Sequence, residues 1–333
     1  MTTPRPVNPP DSTRSSWLSD AALERLREAA GTPDLTGTRY RLIRRVGRGG
    51  MGSVYLAEDT HLGRPVALKV LDLDDPRGLL AERLLLEARI LARLEHPGVV
   101  PVHEAGRLAD GRVFYAMKYV EGERLDRRAQ SDPDLSSRLR LFRRVCEAVA
   151  FAHDRGILHR DLKPQNVMVG TFGEVWVMDW GVAKVLRDGD GAPERGGAGV
   201  TTWGATDTDH GTVLGTRGYM APEQERGDIG AVGPRSDVYS LGAMLRFLLG
   251  DDAPRPLLAI CAKAMAPETA QRYASALDLA GEVSRHLDGL RVEAYPEGVL
   301  EKARRLYGRH KVAVWLIVAY LVVRGGLLAF LGR

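Results

Sequence analysis

The strongest chemical signal in the sequence is a run of polar residues between two apolar stretches, His159-Arg160-Asp161-Leu162-Lys163-Pro164-Gln165-Asn166. Polar side chains at this density are costly beside the apolar runs ILH and VMV unless they converge on a reaction. Asp161 can accept a proton from a hydroxyl nucleophile, Lys163 can neutralise charge on a transferred phosphoryl group, and Asn166 can offer an oxygen to a metal ion. Asp179, thirteen residues further on, adds a carboxylate suited to Mg²⁺, which prefers oxygen ligands. Together these residues indicate chemistry on a phosphate group.

A glycine-rich stretch nearer the N-terminus could approach such a phosphate. Gly47, Gly49 and Gly52, followed by Val54, form the pattern GxGxxGxV between two strand-like segments. Glycines let a backbone come close to a ligand and adopt positive φ. Glycine-rich hairpins are common, so the stretch alone is a weak signal. A dinucleotide-binding fold would place a helix directly after the glycines, whereas SVYLAED is typical of a strand, which disfavours that alternative.

The apolar strand VALK carries a single lysine, Lys69. Its apolar neighbours suggest that Lys69 faces a cleft where a phosphate would compensate its charge, although a solvated edge position is the alternative. An acidic partner would hold Lys69 in place. Glu87, flanked by leucines in the helical stretch LLLEARILARL, is the best candidate, and Glu82 on the same helix is the alternative.

The elements that must position these residues fall into two groups. Strand-like runs broken by glycine begin at Tyr40, with further strands expected at about 98–104 and 113–120 and one helix at about 79–94. After Gly122 the pattern becomes helical, at about 136–155, 234–249, 256–265 and 275–287. A β-rich part followed by a helix-rich part predicts an α+β protein with two lobes.

Taken in order, the motifs GxGxxGxV, VALK, HRDLKPQN, DWG and APE resemble the signature of the protein kinases. The resemblance covers about residues 40–288, and GRGGMGSVY, GTRGYMAPEQ and SDVYSLG are similar to the bacterial Hanks-type Ser/Thr kinases. It implies a bilobal kinase fold, with an N-lobe at 40–120, a C-lobe at 121–288 and an activation segment at 179–223. The implied activity is transfer of the γ-phosphate of ATP, with Mg²⁺, to Ser/Thr hydroxyls of proteins.

The resemblance also implies a role for each matching position. Asp161 would be the catalytic base, assisted by Lys163, while Asn166 and Asp179 would hold Mg²⁺. Lys69 would bind the α- and β-phosphates and pair with Glu87. The implied nucleotide site comprises Gly47, Gly49, Gly52, Val54, Ala67, Lys69, Met117, Tyr119, Val120 and Met168.

Within that implied nucleotide site, Val54, Ala67 and Met168 would sandwich adenine, Met117 would be the gatekeeper, and Tyr119 and Val120 would form the hinge. Outside it, the resemblance implies three further roles: Asp237 would brace the catalytic loop, Glu223 would pair with Arg272, and Thr216 would line the substrate hydroxyl site.

Two departures from the family pattern surround the metal aspartate. Trp180 replaces the usual Phe, an exchange that keeps an aromatic packing role. The activation segment is long and rich in threonine, and Arg160 precedes the catalytic aspartate, as in kinases whose loop is ordered by a phosphothreonine. We hypothesise that Thr208 and Thr212 are autophosphorylated; the alternative is that these threonines only solubilise a linker.

A third departure lies in the helical part, where SDVYSLGAMLRFLLG runs almost directly into DDAPRPLLAICAKAM. Family members usually have some thirty more residues there, including a helix that helps to dock protein substrates. We therefore expect unusual recruitment of substrates, or dependence on a membrane for proximity.

The composition sets outer limits on function. With 333 residues, 44% hydrophobic and 27% charged, the chain can form a large globular core. A net charge of +4 is too small to indicate binding to nucleic acid. The two cysteines, Cys146 and Cys261, are far apart in apolar stretches, which is typical of reduced core residues in a cytoplasmic compartment.

The two ends of the chain differ in character. Residues 1–39 are expected to form a flexible leader with one short amphipathic helix, 18–30, and no secretory signal. A basic juxtamembrane linker, 289–311, precedes the apolar segment 312–331, whose length predicts a single transmembrane helix that holds the kinase domain at the cytoplasmic membrane. Arg324 interrupts that segment, so a helix lying on the membrane or packed on a partner is the alternative.

Two other classes of protein share part of this pattern. A pseudokinase scaffold at the membrane would keep the fold without the chemistry, but such proteins usually lose residues of the Lys69, Asp161 or Asp179 type. A small-molecule kinase would not be expected to carry APE or GTRGYMAPEQ. A homodimer that phosphorylates itself in trans is a further expectation for the active kinase.

Overall fold

The computed structural model describes residues 31–49, 52–72, 78–180, 184–185, 218–228, 230–298, 302, 315–317, 319–321 and 323–325. The strands are β1 Tyr40–Gly49, β2 Gly52–Asp59, β3 Arg64–Val70, β4 Val102–Arg107, β5 Val113–Lys118, β6 Gly122–Arg124, β7 Ile157–Leu158, β8 Val167–Gly170, β9 Val175–Val177 and β10 Lys184–Val185. The helices are α1 Leu79–Arg93, α2 Leu125–Ser131, α3 Leu135–Asp154, α4 Pro222–Glu225, α5 Pro234–Leu249, α6 Arg255–Ala264 and α7 Ala276–Leu287. The bilobal fold predicted from the sequence is confirmed.

The N-lobe is an antiparallel five-stranded sheet with the order β1-β2-β3-β5-β4. Helix α1 packs against β4 and β5 through an apolar stripe spaced three and four residues apart, Leu84, Ala88 and Leu91. Glu87 lies on the same buried face of this helix. The packing of α1 against the sheet therefore brings Lys69 of β3 and Glu87 of α1 close together.

The C-lobe is built around α3, whose buried stripe includes Leu139, Phe142, Cys146 and Val149. This helix begins where Asp134 caps the free amides of residues 136 and 137, and it packs against α5, α7 and β9. The small antiparallel sheet β6-β8-β9 and the strand pair β7–β10 follow the N-lobe sheet in the chain. Both cysteines are buried, as predicted for core residues, and neither is paired with the other.

The connection between α5 and α6 is only five residues long, 250–254. A Cβ atom added to Gly242 of α5 would lie 2.6 Å from the Cβ of Ala264, so the two helices pack in direct contact. The shortening of the helical part that the sequence predicted therefore corresponds to a tight hairpin of α5 and α6.

Strand β4 begins later than predicted, at Val102, because Val99 and Val100 are buried and Val99 bridges to Val177.

Both predicted boundaries of the kinase domain differ from the folded unit. The flexible leader was expected to extend to residue 39, but Arg112 donates to the carbonyls of Gly31 and Thr32 at 3.0 and 2.6 Å, and Tyr55 donates to Gly31 at 2.9 Å. At the other end, Glu282 of α7 accepts hydrogen bonds from the amides of residues 293 and 294. These contacts attach residues 31–32 of the expected flexible leader and residues 293–294 of the expected basic juxtamembrane linker to the folded domain.

The expected leader helix, 18–30, and most of the expected membrane segment, 312–331, lie outside the described residues. The described residues of that segment, 315–317, 319–321 and 323–325, are helical and exposed. Within the part of the chain that the structure describes, no helix combines the length and the apolar character that crossing a membrane requires.

Candidate active site

The ion pair between Lys69 and Glu87 lies at the back of the cleft between the lobes. The Lys69 ammonium is 2.7 Å from each carboxylate oxygen of Glu87, whose side chain is only 1% exposed. Burial raises the pKa of the Glu87 carboxyl, and the Lys69 charge opposes that rise. The competing candidate, Glu82, is exposed on the outer face of α1. The structure therefore decides between the two glutamates in favour of Glu87.

Asp179 approaches the same lysine from the C-lobe side, with its Oδ1 atom 3.6 Å from the Lys69 ammonium. Its backbone has φ 61°, a left-handed conformation that is unusual for a residue other than glycine. The neighbouring Trp180 is fully buried, donates its indole N–H to the Val177 carbonyl at 3.1 Å and packs against the ring of His159. The aromatic packing role predicted for Trp180 is present, together with a hydrogen bond that Phe could not make.

The loop from His159 to Asn166 connects β7 to β8 and ends in a short 3₁₀ turn. Within it, the Lys163 ammonium donates to Oδ2 of Asp161 at 2.6 Å. The Asn166 side-chain amide donates to the Asp161 carbonyl at 2.9 Å and to its Oδ2 at 3.2 Å. Asp161 is thus held from two sides by the residues that sequence reasoning grouped with it.

The buried carboxylate of Asp237 on α5 fixes the backbone of this loop. It accepts the amides of His159 and Arg160, each at 2.9 Å, and a hydrogen bond from His153 at 2.7 Å. Burial by itself would raise the pKa of Asp237, but the His153 hydrogen bond and the nearby positive charge bring it below the ordinary value. Arg160 has φ 71°, so the loop turns sharply at the point that Asp237 holds.

A second buried ion pair ties the end of the activation segment to the C-lobe. Arg272 donates to both carboxylate oxygens of Glu223, at 2.7 and 2.8 Å, and to the carbonyls of residues 235, 266 and 267. Ser236 donates to the same Glu223 carboxylate at 2.7 Å. The contact expected between Glu223 and Arg272 is present.

A cavity of about 660 Å³ occupies the cleft between the lobes. The predicted site residues that line it are Gly47, Gly49, Gly52, Val54, Ala67, Lys69, Glu87, Met117, Tyr119, Val120, Asn166, Met168 and Asp179. Asp161 and Lys163 do not line the cavity itself, and are linked to it through the hydrogen bonds of Asn166. Thr208, Thr212 and Thr216 lie outside the described residues.

The donor set at the cavity suits a magnesium ion shared with a phosphate ligand. Mg²⁺ is usually held by one or two carboxylates and completes its shell with water and substrate phosphates. Asn166 and Asp179 offer an amide and a carboxylate to the cavity. Among the described residues no cluster of three or more His, Cys, Asp or Glu side chains could hold a metal without such help.

Sequence reasoning missed two residues of the site. Tyr115 of β5 donates its hydroxyl to Oε1 of Glu87 at 3.0 Å. The alternation of a strand places Tyr115 on the same face as Met117, which is the one signal that could have drawn attention to it. His153 at the end of α3 has no sequence signal of this kind, because its partner Asp237 lies 84 residues further on.

Comparison with known proteins agrees with this geometry. The chain matches the protein kinase domain family over residues 40–271. It is 35% identical over 301 residues to serine/threonine-protein kinase PknD of Chlamydia muridarum, covering 75% of this chain and 32% of that protein. The corresponding protein of Chlamydia trachomatis serovar D is 38% identical over 234 residues, covering 63% of this chain and 24% of its own length. The chain thus spans about a third of the curated relatives it matches, or less.

Among solved structures, the kinase domain of Mycobacterium tuberculosis PknI has the same fold. It superposes with a TM-score of 0.54 at 24% identity, covering 78% of this chain and 99% of that domain. The shared fold, the kinase-domain match and the arrangement of motif residues around one cleft all lead to the same assignment. The chain belongs to the protein kinase family.

Proposed function

We propose that this chain transfers the γ-phosphate of ATP, with Mg²⁺, to Ser/Thr hydroxyls of proteins. The observation that carries the proposal is the position of Lys69, whose ammonium lies 2.7 Å from Glu87 and 3.6 Å from Asp179. This arrangement joins β3, α1 and the segment after β9 at one point, facing the cavity. A scaffold without chemistry has no need for a lysine held between two carboxylates.

The cleft is shaped to receive the nucleotide. Gly52 lies in β2 with φ 144°, and a Cβ added there would lie 2.2 Å from the Val70 carbonyl, so no other residue fits without a shift. Val54, Ala67 and Met168 supply apolar surface for adenine in the same cavity. Lys69 then faces the α- and β-phosphates, with its side chain held by Glu87.

Asp161 is the catalytic base of the proposed reaction. It accepts the proton of the attacking hydroxyl, and the 2.6 Å contact with Lys163 orients its carboxylate and offers positive charge to the transferred group. Asn166 and Asp179 would hold Mg²⁺ through their side-chain oxygens. When bound, the ion neutralises charge on the phosphate oxygens.

The substrates we propose are proteins, and their recruitment differs from the usual family mode. The five-residue connection between α5 and α6 has no room for an added docking helix. Autophosphorylation of Thr208 and Thr212, in trans within a homodimer, follows from the threonine-rich segment and Arg160. Mass spectrometry of protein produced with ATP tests this, and an unmodified segment would contradict it.

We also propose that residues 312–331 anchor the kinase domain at the cytoplasmic face of a membrane. The support is the twenty-residue apolar segment that follows a basic stretch containing Lys302, Arg304, Arg305, Arg309, His310 and Lys311. Extraction of the full chain from membranes by detergent but not by salt or alkali is the expected result. Release by salt alone would show a surface attachment instead.

The decisive experiment is phosphotransfer by wild type and by Asp161→Asn. With labelled ATP and Mg²⁺, wild type should label itself or a generic basic protein, and the isosteric variant should lose at least about 10²-fold in rate because its base is absent. Both should bind nucleotide equally. Absence of transfer by both forms, with nucleotide still bound, would favour a pseudokinase.

A further inference from the structure

Tyr115 is a buried donor directed at the ion pair of the cleft. Its side chain is 1% exposed, and its hydroxyl donates to Oε1 of Glu87 at 3.0 Å. The Lys69 ammonium lies 5.8 Å from the centre of the same ring. Burial raises the pKa of Tyr115 well above its ordinary value, so the hydroxyl keeps its proton and stays a donor at neutral pH.

The charges around Glu87 determine what the Tyr115 hydroxyl contributes. A carboxylate as buried as Glu87 needs compensation for the lost hydration of its charge. Lys69 supplies that compensation, but it also serves Asp179 and, in the proposed reaction, the phosphates of the nucleotide. The Tyr115 hydroxyl has Glu87 as its one hydrogen-bond acceptor among the described residues. It therefore remains with Glu87 when Lys69 turns toward phosphate.

We propose that Tyr115 is a positioning residue that holds Glu87, and through it helix α1 and Lys69, in the arrangement that binds nucleotide. It acts through Glu87 and makes no contact with the reacting atoms. The inference rests on the proposed function, since Lys69 must bind a nucleotide phosphate for the position of Glu87 to matter.

The apolar body of Tyr115 packs in the core that links the sheet to α1, and this packing would be the same for phenylalanine. Tyrosine and phenylalanine at this position differ only in the hydroxyl group. Loss of one hydrogen bond to a charged buried group corresponds to about a tenfold change in an equilibrium constant. Without it, a smaller fraction of molecules has Glu87 turned inward, and the apparent affinity for nucleotide falls by that fraction.

The test is Tyr115→Phe in the full-length chain. We expect the KM for ATP to rise by up to about tenfold, while kcat at saturating ATP stays within about twofold, because bound nucleotide restores the inward arrangement. In a Glu87→Gln background the same substitution should change the KM less than about twofold, since its partner charge is already gone.

The matched control is Tyr55→Phe on strand β2 of the same sheet. The Tyr55 hydroxyl is also in a buried residue, but it donates to the Gly31 carbonyl, away from the cleft. Its removal should lower the thermal midpoint about as much as Tyr115→Phe and leave the KM for ATP unchanged. Equal KM values in wild type and Tyr115→Phe, or an equal rise in Tyr55→Phe, would overturn the proposal.

A second readout keeps this inference separate from the proposed reaction. A lysine-reactive adenosine analogue labels a cleft lysine without any phosphotransfer, and its rate with Lys69 should fall about tenfold in Tyr115→Phe at low reagent concentration. If wild type transfers no phosphate, the proposed function fails whatever this rate shows. If transfer is normal and both variants are labelled at the wild-type rate, only the role of Tyr115 is wrong.

Discussion

The carboxylate of Asp237 holds the main-chain amide of His159 at 2.9 Å, across 78 residues of sequence. The same side chain also accepts the amide of Arg160 and a hydrogen bond from His153. One buried carboxylate on α5 thus determines the path of the loop that carries Asp161.

Asp237→Asn tests this arrangement. The asparagine keeps one acceptor oxygen, but its NH₂ group must face one of the two backbone donors, which leaves a buried N–H without a partner. We expect the free energy of unfolding to fall by about 3 kcal/mol and phosphotransfer to fall with it. Urea denaturation measures the first. Asp154→Asn, at an exposed position next to His153, should change neither, and an equal loss there would point to a general effect of charge.

The pH dependence of stability follows from the same group. The folded-state pKa of Asp237 lies below its ordinary value, so the unfolded chain takes up this proton first as the pH falls. The stabilisation is therefore complete well above pH ~4 and is lost as the pH falls through the folded pKa. The stability gap between wild type and Asp237→Asn should narrow below about pH 4 in urea titrations. A gap that is constant from pH 7 to pH 3 would show that packing, not charge, is responsible.

Arg272→Lys should separate charge from geometry at the second buried pair. Lysine keeps the positive charge but cannot replace the hydrogen bonds from Arg272 to Glu223 and to three carbonyls. We expect a loss of about 3 kcal/mol in stability, measured by thermal unfolding. Arg285→Lys, in a half-exposed pair with Glu282, should lose much less stability. Equal losses at the two sites would refute the role of geometry.

Gly52→Ala should disturb the glycine-rich hairpin. The added methyl group would lie 2.2 Å from the Val70 carbonyl, at a φ of 144° that side chains rarely adopt. We expect a loss of at least about 2 kcal/mol in stability and a weaker affinity for ATP, measured by calorimetry. For stability, Gly47→Ala is the control, because a Cβ there would meet no atom within 4 Å. A stable Gly52→Ala that binds ATP normally would contradict this account.

Local patterns pointed to part of the site, and the resemblance to the protein kinases supplied the remaining positions. Glu87 shares the buried face of α1 with Leu84 and Leu91, as its leucine neighbours indicated, although the sequence left Glu82 as the alternative. The polar run from His159 to Asn166 was recognisable because its neighbours are apolar. The contacts that local patterns could not predict join distant segments: Tyr115 with Glu87, His153 with Asp237, and Arg112 with the leader. Each depends on how the lobes fold, and no spacing in the chain encodes it.

The hydrogen bonds from Arg112 to the carbonyls of Gly31 and Thr32 limit where this protein can be truncated. A fragment that starts at residue 40 and stops at residue 271, the limits of the family match, would remove two acceptors from a guanidinium that is 6% exposed. It would also delete α7, whose Glu282 side chain accepts hydrogen bonds from the amides of residues 293 and 294. Among the described residues, a piece from residue 31 to residue 302 keeps these hydrogen bonds and the one from the Lys302 amide to the Gly298 carbonyl, so the hydrogen-bonded unit extends beyond the family match at both ends.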